Sequence, residues 1–261
     1  MKFPKKSLGQ NFLIDKNIIK KIINLVEIKK ENVIEVGPGE GALTEEILKR
    51  KPKSLTVIEK DSDLVKKLKV KYSNNKLIKI YDADILKFDL EKIVKKNSII
   101  LGNLPYNISS QILVKILKFN KWPPKFKNLI LMFQKELGEK VIGKYNDHNY
   151  GRLSILTNYR LKIIKKFLVS SNCFFPKPKI TSLVIHFQPK INSMFNIKNL
   201  NNLEKITNIF FSNKRKMINK SIIKLLNKKE IEKIGDINLQ ARPSELSAEV
   251  YYKIAELYES R

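Results

Sequence analysis

Three groups of residues in this chain have types and spacings suited to chemistry. Glu35-Val36-Gly37-Pro38-Gly39-Glu40-Gly41 sits where an apolar run hands over to a helical pattern. Gly37 and Gly39 would let the backbone approach a ligand lying across the strand end. Glu59 ends the next apolar run, 24 positions after Glu35, where a carboxylate can accept hydrogen bonds from both hydroxyls of a ribose. Asp84 follows the third run and could accept from the amino group of an adenine. The third group is Asn103-Leu104-Pro105-Tyr106, an amide, a proline and an aromatic ring at the end of the run Ile99-Ile100-Leu101. A strand end that only had to turn could use Gly, Asp or Ser.

Each group also has a plainer reading. A glycine turn can be a packing device, acids at strand ends can simply be solvated, and Tyr106 can be a buried ring after a capped turn. The glycine spacing is not the Gly-x-Gly-x-x-Gly of a dinucleotide site, and the Lys and Ser/Thr of a phosphate loop are missing. Taken together, the loop and the two acids describe a nucleoside without phosphates held close to backbone, which fits S-adenosylmethionine. Cys173 is the only cysteine, and His148 and His186 are the only histidines, so neither a thiolate metal cage nor a Cys-His nucleophile pair is expected. No metal is expected at all. His186 lies in the alternating run Ser182 to Phe187 and is expected on a strand surface.

The elements that would hold these residues alternate. Ile18, Ile19, Ile22, Ile23 and Val26 recur at helical spacing after Asp15, a suitable N-cap. Strands are expected at 33–36, 55–58, 77–81, 99–101 and 129–133, with helices after each of the first two and the last two. That order predicts an α/β fold, a Rossmann-like parallel sheet covered on both faces, as in class I SAM-dependent methyltransferases. Ser154 to Tyr159 and Ser182 to Phe187 read as an antiparallel closing pair of strands. After Pro189 the chain becomes helical and basic, so a boundary is expected near residue 190. That gives one domain over 1–190 and a small, basic, all-helical domain over 191–261.

The chain carries 52 Lys and Arg against 25 Asp and Glu, a formal +27. Solubility alone calls for a magnitude of roughly 2 to 8 on a small domain. A polyanionic partner is the natural inference, nucleic acid ahead of an anionic membrane surface. Abundant Lys, Asn and Ile also point to an AT-rich genome, which supplies part of the charge by codon drift. Nothing apolar approaches the ~18 residues of a membrane span, and Met1 to Gln10 has no signal-peptide core. A soluble, cytoplasmic protein is expected.

Ser7-Leu8-Gly9-Gln10-Asn11-Phe12-Leu13, Glu35 to Thr44, Glu59, Asp84 and Asn103-Leu104-Pro105-Tyr106-Asn107-Ile108-Ser109-Ser110 together resemble the rRNA adenine dimethyltransferases. Gln134-Lys135-Glu136, Tyr150-Gly151-Arg152-Leu153-Ser154 and Phe174 to Ser182 continue the resemblance nearly end to end. Within the family it is similar above all to the bacterial small-subunit branch, which dimethylates two adjacent adenines during ribosome biogenesis. The resemblance implies that Asn11, Leu13, Gly37, Gly39, Glu59, Asp84 and Asn103 bind the cofactor. It implies a catalytic set of Asn103, Leu104, Pro105 and Tyr106, with Phe174 as a second aromatic plate. The Asn103 and Leu104 carbonyls would accept the two amino hydrogens of adenine and aim the nitrogen lone pair at the sulfonium methyl. Lys214, Arg215, Lys216 and Lys220 would grip rRNA phosphates of a pre-30S particle. A monomer is implied, and the longer basic arm ahead of Ser7 in some relatives is expected to be missing.

Three other readings stay open. One is the branch that modifies a single large-subunit adenine, another a nonenzymatic assembly or transcription factor on the same fold, and the third a DNA adenine methyltransferase. The Asn-Leu-Pro-Tyr form and the Gln10-Asn11-Phe12-Leu13 stretch favour small-subunit rRNA.

Overall fold

The structure is a computed structural model that describes residues 10–261. Ser7, Leu8 and Gly9 of the N-terminal motif lie outside the described residues. The elements run β1 (Phe12–Leu13), α1 (Lys16–Ile23), β2 (Asn32–Val36), α2 (Ala42–Lys49), β3 (Ser54–Glu59), α3 (Ser62–Lys71), β4 (Ile78–Asp82) and α4 (Leu90–Ile93). They continue with β5 (Ser98–Asn103), α5 (Ser109–Leu117), β6 (Phe126–Gln134), α6 (Lys135–Ile142), α7 (Arg152–Arg160), β7 (Leu161–Val169), β8 (Phe174–Phe175) and β9 (Ser182–Pro189). The helices α8 (Leu200–Phe211), α9 (Asn219–Ile222), α10 (Lys228–Glu232) and α11 (Ala248–Glu259) complete the chain.

Seven strands form one sheet in the order β4-β3-β2-β5-β6-β9-β7. The first five are parallel to one another, and β9 lies antiparallel to β6. Because side chains alternate across a strand, Val33, Val57, Ile99 and Leu101 face a layer that includes Ile19, Ile22 and Ile23 of α1 and Leu43 and Ile47 of α2. The alternate residues Ile34, Ile58, Ile100 and Leu131 are equally buried. Burial on both faces is why these strands read as unbroken apolar runs. Asp15 starts α1, its side chain accepting from the Asn17 and Ile18 amides.

Two sequence expectations are corrected. Ser154 to Tyr159 is not a strand but the body of α7, and the closing strand β7 starts at Leu161. Ser154 Oγ ties to Gly151 at the helix start, and Thr157 Oγ1 donates to the Leu153 carbonyl one turn back. The helix is buried on most sides, so it shows no amphipathic stripe, and its Ile, Thr and Tyr content mimics a strand. His186 is not on a surface. It is 4% exposed, with Nε2 2.7 Å from Asn128 Oδ1, because β9 is an interior strand between β6 and β7.

The chain divides into two compact units. The first comprises the residues up to Gly138 together with Ile163–Pro189, and the second comprises Glu139–Lys162 with Lys190–Arg261. The expected boundary near 190 is one crossing point, but 139–162 joins the helical unit. There the Tyr252 hydroxyl donates to the Ile155 carbonyl of α7 at 3.0 Å, and the Phe210 and Tyr251 rings meet edge to face at 5.4 Å.

Candidate active site

Parallel strands end at one edge of a sheet, and here β2, β3, β4 and β5 end around the point where the strand order reverses. Their carboxyl ends open into one cleft within the first unit, walled on a further side by Gln10, Asn11, Phe12 and Leu13. Gly37, Gly39, Glu59, Asp84, Asn103, Leu104, Pro105 and Tyr106 all line it, as do Asn11 and Leu13.

The floor is backbone. Gly37 has φ +67, and a Cβ there would stand 3.5 Å from the Asn103 carbonyl oxygen. Gly39 has φ +60, and a Cβ would fall 2.7 Å from the Phe12 ring. Any side chain at Gly39 would therefore meet both backbone strain and a clash. Phe12 covers the glycine loop from the β1 side.

Glu59 is held by its own turn. Its Oε1 accepts from the Lys60 and Asp61 amides at 2.8 and 2.9 Å, and its Oε2 takes a longer 3.3 Å bond from Gly39. Burial pushes the carboxyl up, and the three amides pull the other way. Oε2, with its one long bond, thus keeps acceptor capacity. Asp84 accepts from the Leu86 amide at 2.9 Å and pairs with the Lys60 ammonium at 2.9 Å, which holds its carboxyl below the usual range.

Beneath the loop, Glu35 is 1% exposed. The Thr44 hydroxyl donates to its Oε2 at 2.6 Å, while Oε1 has no hydrogen-bond partner. Burial raises this carboxyl to about 7. Glu35 supports α2 from below and does not line the cleft.

At the end of β5 the Asn103 side-chain nitrogen donates to the Asn11 carbonyl at 3.1 Å. A carbonyl cannot donate, so this contact fixes which end of the amide is which, and leaves Oδ1 as the acceptor. Leu104 is buried and its side chain folds back over Gly102, where a Cβ would lie 2.6 Å from Leu104 Cδ2. The Tyr106 hydroxyl meets Ser182 Oγ at 2.6 Å, and burial keeps it a neutral phenol.

Phe174 is the expected site residue that the structure places elsewhere. It is 3% exposed, sits in the apolar core with Leu13 and Ile19, and does not line the cleft. Its strand decides this: β8 pairs antiparallel with β1, Leu13 opposite Phe174 and Phe12 opposite Phe175. Opposed residues share a face, so Phe174 packs beside Leu13 in the apolar core. Lys214, Arg215, Lys216 and Lys220 belong to the second unit and are all exposed, the first three between α8 and α9 and Lys220 within α9.

The sequence profile described as Ribosomal RNA adenine dimethylase matches residues 2–260. The chain belongs to that family. Among relatives of this adenine dimethylase, the "Ribosomal RNA small subunit methyltransferase A" of Pelagibacter ubique is 46% identical over 98% of this chain and 97% of its own length. The protein of the same name from Malacoplasma penetrans is 40% identical over 97% of this chain and 91% of its own. A solved dimethyladenosine transferase from Plasmodium falciparum superposes with a TM-score of 0.74 at 26% identity, covering 93% of this chain and 95% of that one.

Several residues of this family member's cleft carried no assigned role in the sequence. Phe12 and Gln10 fall inside the quoted motif, and Gln10 donates to Asp61 Oδ2 at 2.9 Å. Lys60 directly follows Glu59, and that adjacency was the available signal. The Glu35 and Thr44 contact spans a strand and a helix, and nothing local announces it.

Proposed function

We propose that this chain transfers methyl groups from S-adenosylmethionine to N6 of two adjacent adenines in small-subunit rRNA, yielding N6,N6-dimethyladenosine during ribosome biogenesis. The observation that carries the chemistry is the Asn103 amide, anchored through its nitrogen on Asn11 with its carbonyl left as an acceptor. The relatives' names point to the same substrate class.

The cleft fits the cofactor by its donor set. Gly37 and Gly39 present bare backbone, Glu59 keeps a carboxylate oxygen for the ribose, and Asp84 can take the adenine amino group. Asn11, Leu13 and Asn103 close the site. When bound, the cofactor supplies a methyl made electrophilic by its sulfonium. The adenine N6 of the RNA is a poor nucleophile because its lone pair is delocalised into the ring. Asn103 Oδ1 and the Leu104 carbonyl accept its two hydrogens and turn the lone pair out of that conjugation. Pro105 restricts the backbone that holds this geometry, and Tyr106 stacks on the unstacked base, worth roughly 1–3 kcal/mol. The methylated nitrogen then loses its proton to water, so positioning carries the rate and no general base is needed. Lys214, Arg215, Lys216 and Lys220 grip phosphates of a pre-30S particle. The enzyme works as a monomer in the cytoplasm, and no described helix is long and apolar enough to cross a membrane.

The test is transfer of a labelled methyl to unmodified small subunits, beside large subunits and double-stranded DNA, followed by nuclease digestion. Dimethyladenosine from small subunits alone is expected. Product from another substrate, or cofactor binding with no transfer, would overturn the reading.

A further inference from the structure

The segment between β8 and β9 is tied at both ends to residues of the cleft. At one end β8 pairs with β1, whose neighbour Asn11 holds Asn103. At the other, Ser182 meets the Tyr106 hydroxyl, and the Thr181 carbonyl accepts from the Lys135 amide at 2.9 Å. Between these ties stand Phe175, Lys177 and Lys179, all exposed, with Pro176 and Pro178 interleaved. Phe175 is 46% exposed and stands opposite Phe12, a residue of the cleft wall, without itself lining the cleft. Among the described residues Phe175 is the only exposed phenylalanine.

The electrostatics are one-sided. Residues 148–203 contain nine Lys or Arg and no Asp or Glu. No carboxylate within this stretch of the chain offsets its positive charge. An exposed ring beside unopposed ammonium groups is the composition of a single-strand nucleic-acid platform, where bases stack and cations follow the backbone.

We propose that Phe175, flanked by Lys177 and Lys179, is the landing platform for the nucleotide next to the adenine held at Tyr106, making it a specificity-determining residue for RNA. The assignment rests on the functional reading above. The neighbouring base stacks on the Phe175 ring, and the two ammonium groups pair with the flanking phosphates. Phe174, one residue away, stays in the core and cannot play this part.

The experiment measures steady-state methylation of unmodified small subunits by the full chain and its variants, with cofactor affinity followed by calorimetry. Loss of one stacked base corresponds to about a 5- to 150-fold change in affinity. Phe175→Ala is expected to raise KM for the particle by about tenfold or more, with kcat and cofactor affinity little changed. Phe175→Trp is expected to restore KM, and Phe175→Leu to leave it high. Replacing Lys177 and Lys179 with Ala is expected to reduce the slope of log KM against log salt by about 1.4, two single-strand phosphate contacts. An unchanged KM in Phe175→Ala, or full rescue by Leu, would overturn the platform while wild-type transfer still upheld the enzyme. Wild-type failure to methylate any particle would instead strike the functional reading.

Discussion

The Asn103 side-chain nitrogen donates to the backbone carbonyl of Asn11, 92 positions away, at 3.1 Å. That one contact joins the end of β5 to the β1 segment and leaves the amide oxygen available as an acceptor. Asn103→Ala is expected to slow single-turnover methyl transfer by about 10² or more, the scale of a lost positioning contact. Cofactor affinity should change much less, and a near wild-type rate would remove the lone-pair argument.

Glu59→Ala should weaken cofactor binding by about 10- to 150-fold, corresponding to a charged hydrogen bond of roughly 1.5–3 kcal/mol. The Lys60, Asp61 and Gly39 amides lose their acceptor, so the variant should stay folded but unfold at a lower temperature, by the worth of about 1–3 kcal/mol. Calorimetry with S-adenosylmethionine decides it, and unchanged affinity would end the ribose assignment.

Glu35 gives a pH prediction with a definite sign. Its folded carboxyl titrates at about 7, above the ordinary 4.5. The native state therefore holds more protons than the unfolded chain between those values, and this group's contribution to stability is present below 4.5 and lost as pH rises through 7. The loss is about 3 kcal/mol. Glu35→Gln should remove that slope, so the variant gains on wild type between pH 5 and pH 8 in urea unfolding. Parallel curves for the two proteins would contradict the burial argument.

Tyr106 separates ring from hydroxyl. Tyr106→Phe keeps the stacking face and loses only the bond to Ser182, so KM for the particle should rise two- to tenfold, the worth of roughly 0.5–1.5 kcal/mol. Tyr106→Ala should raise it well beyond that. Equal effects would mean that the ring does not touch the base.

Neutralising Lys214, Arg215 and Lys216 together should lower the salt dependence of particle binding, measured by filter retention across ionic strengths. Three lost phosphate contacts predict a slope smaller by about 2 to 3. An unaltered slope would place the phosphate grip elsewhere on the chain.

Gly37, Glu59, Asp84 and Asn103 were legible as a group because each ends or follows an apolar run. In a parallel sheet all such ends meet at one edge, so sequence order alone brings them to one cleft. Asp15 could likewise be recognised as a cap, since capping is local. His186 and α7 were misjudged because alternation and composition report a segment's own pattern, whereas burial on the remaining sides comes from distant neighbours.

The sequence by itself determined the parallel sheet, the glycine loop, the acids at the strand ends and the basic helical tail, all of which follow from short-range periodicity and chain direction. Only the tertiary structure decided that 139–162 joins the helical unit, that Asn11 orients Asn103, and that Phe174 faces the core while Phe175 faces out. The physical reason is register. Pairing β1 with β8 one residue differently would exchange those two rings, and no local pattern in a two-residue strand can specify which side the rest of the fold will cover.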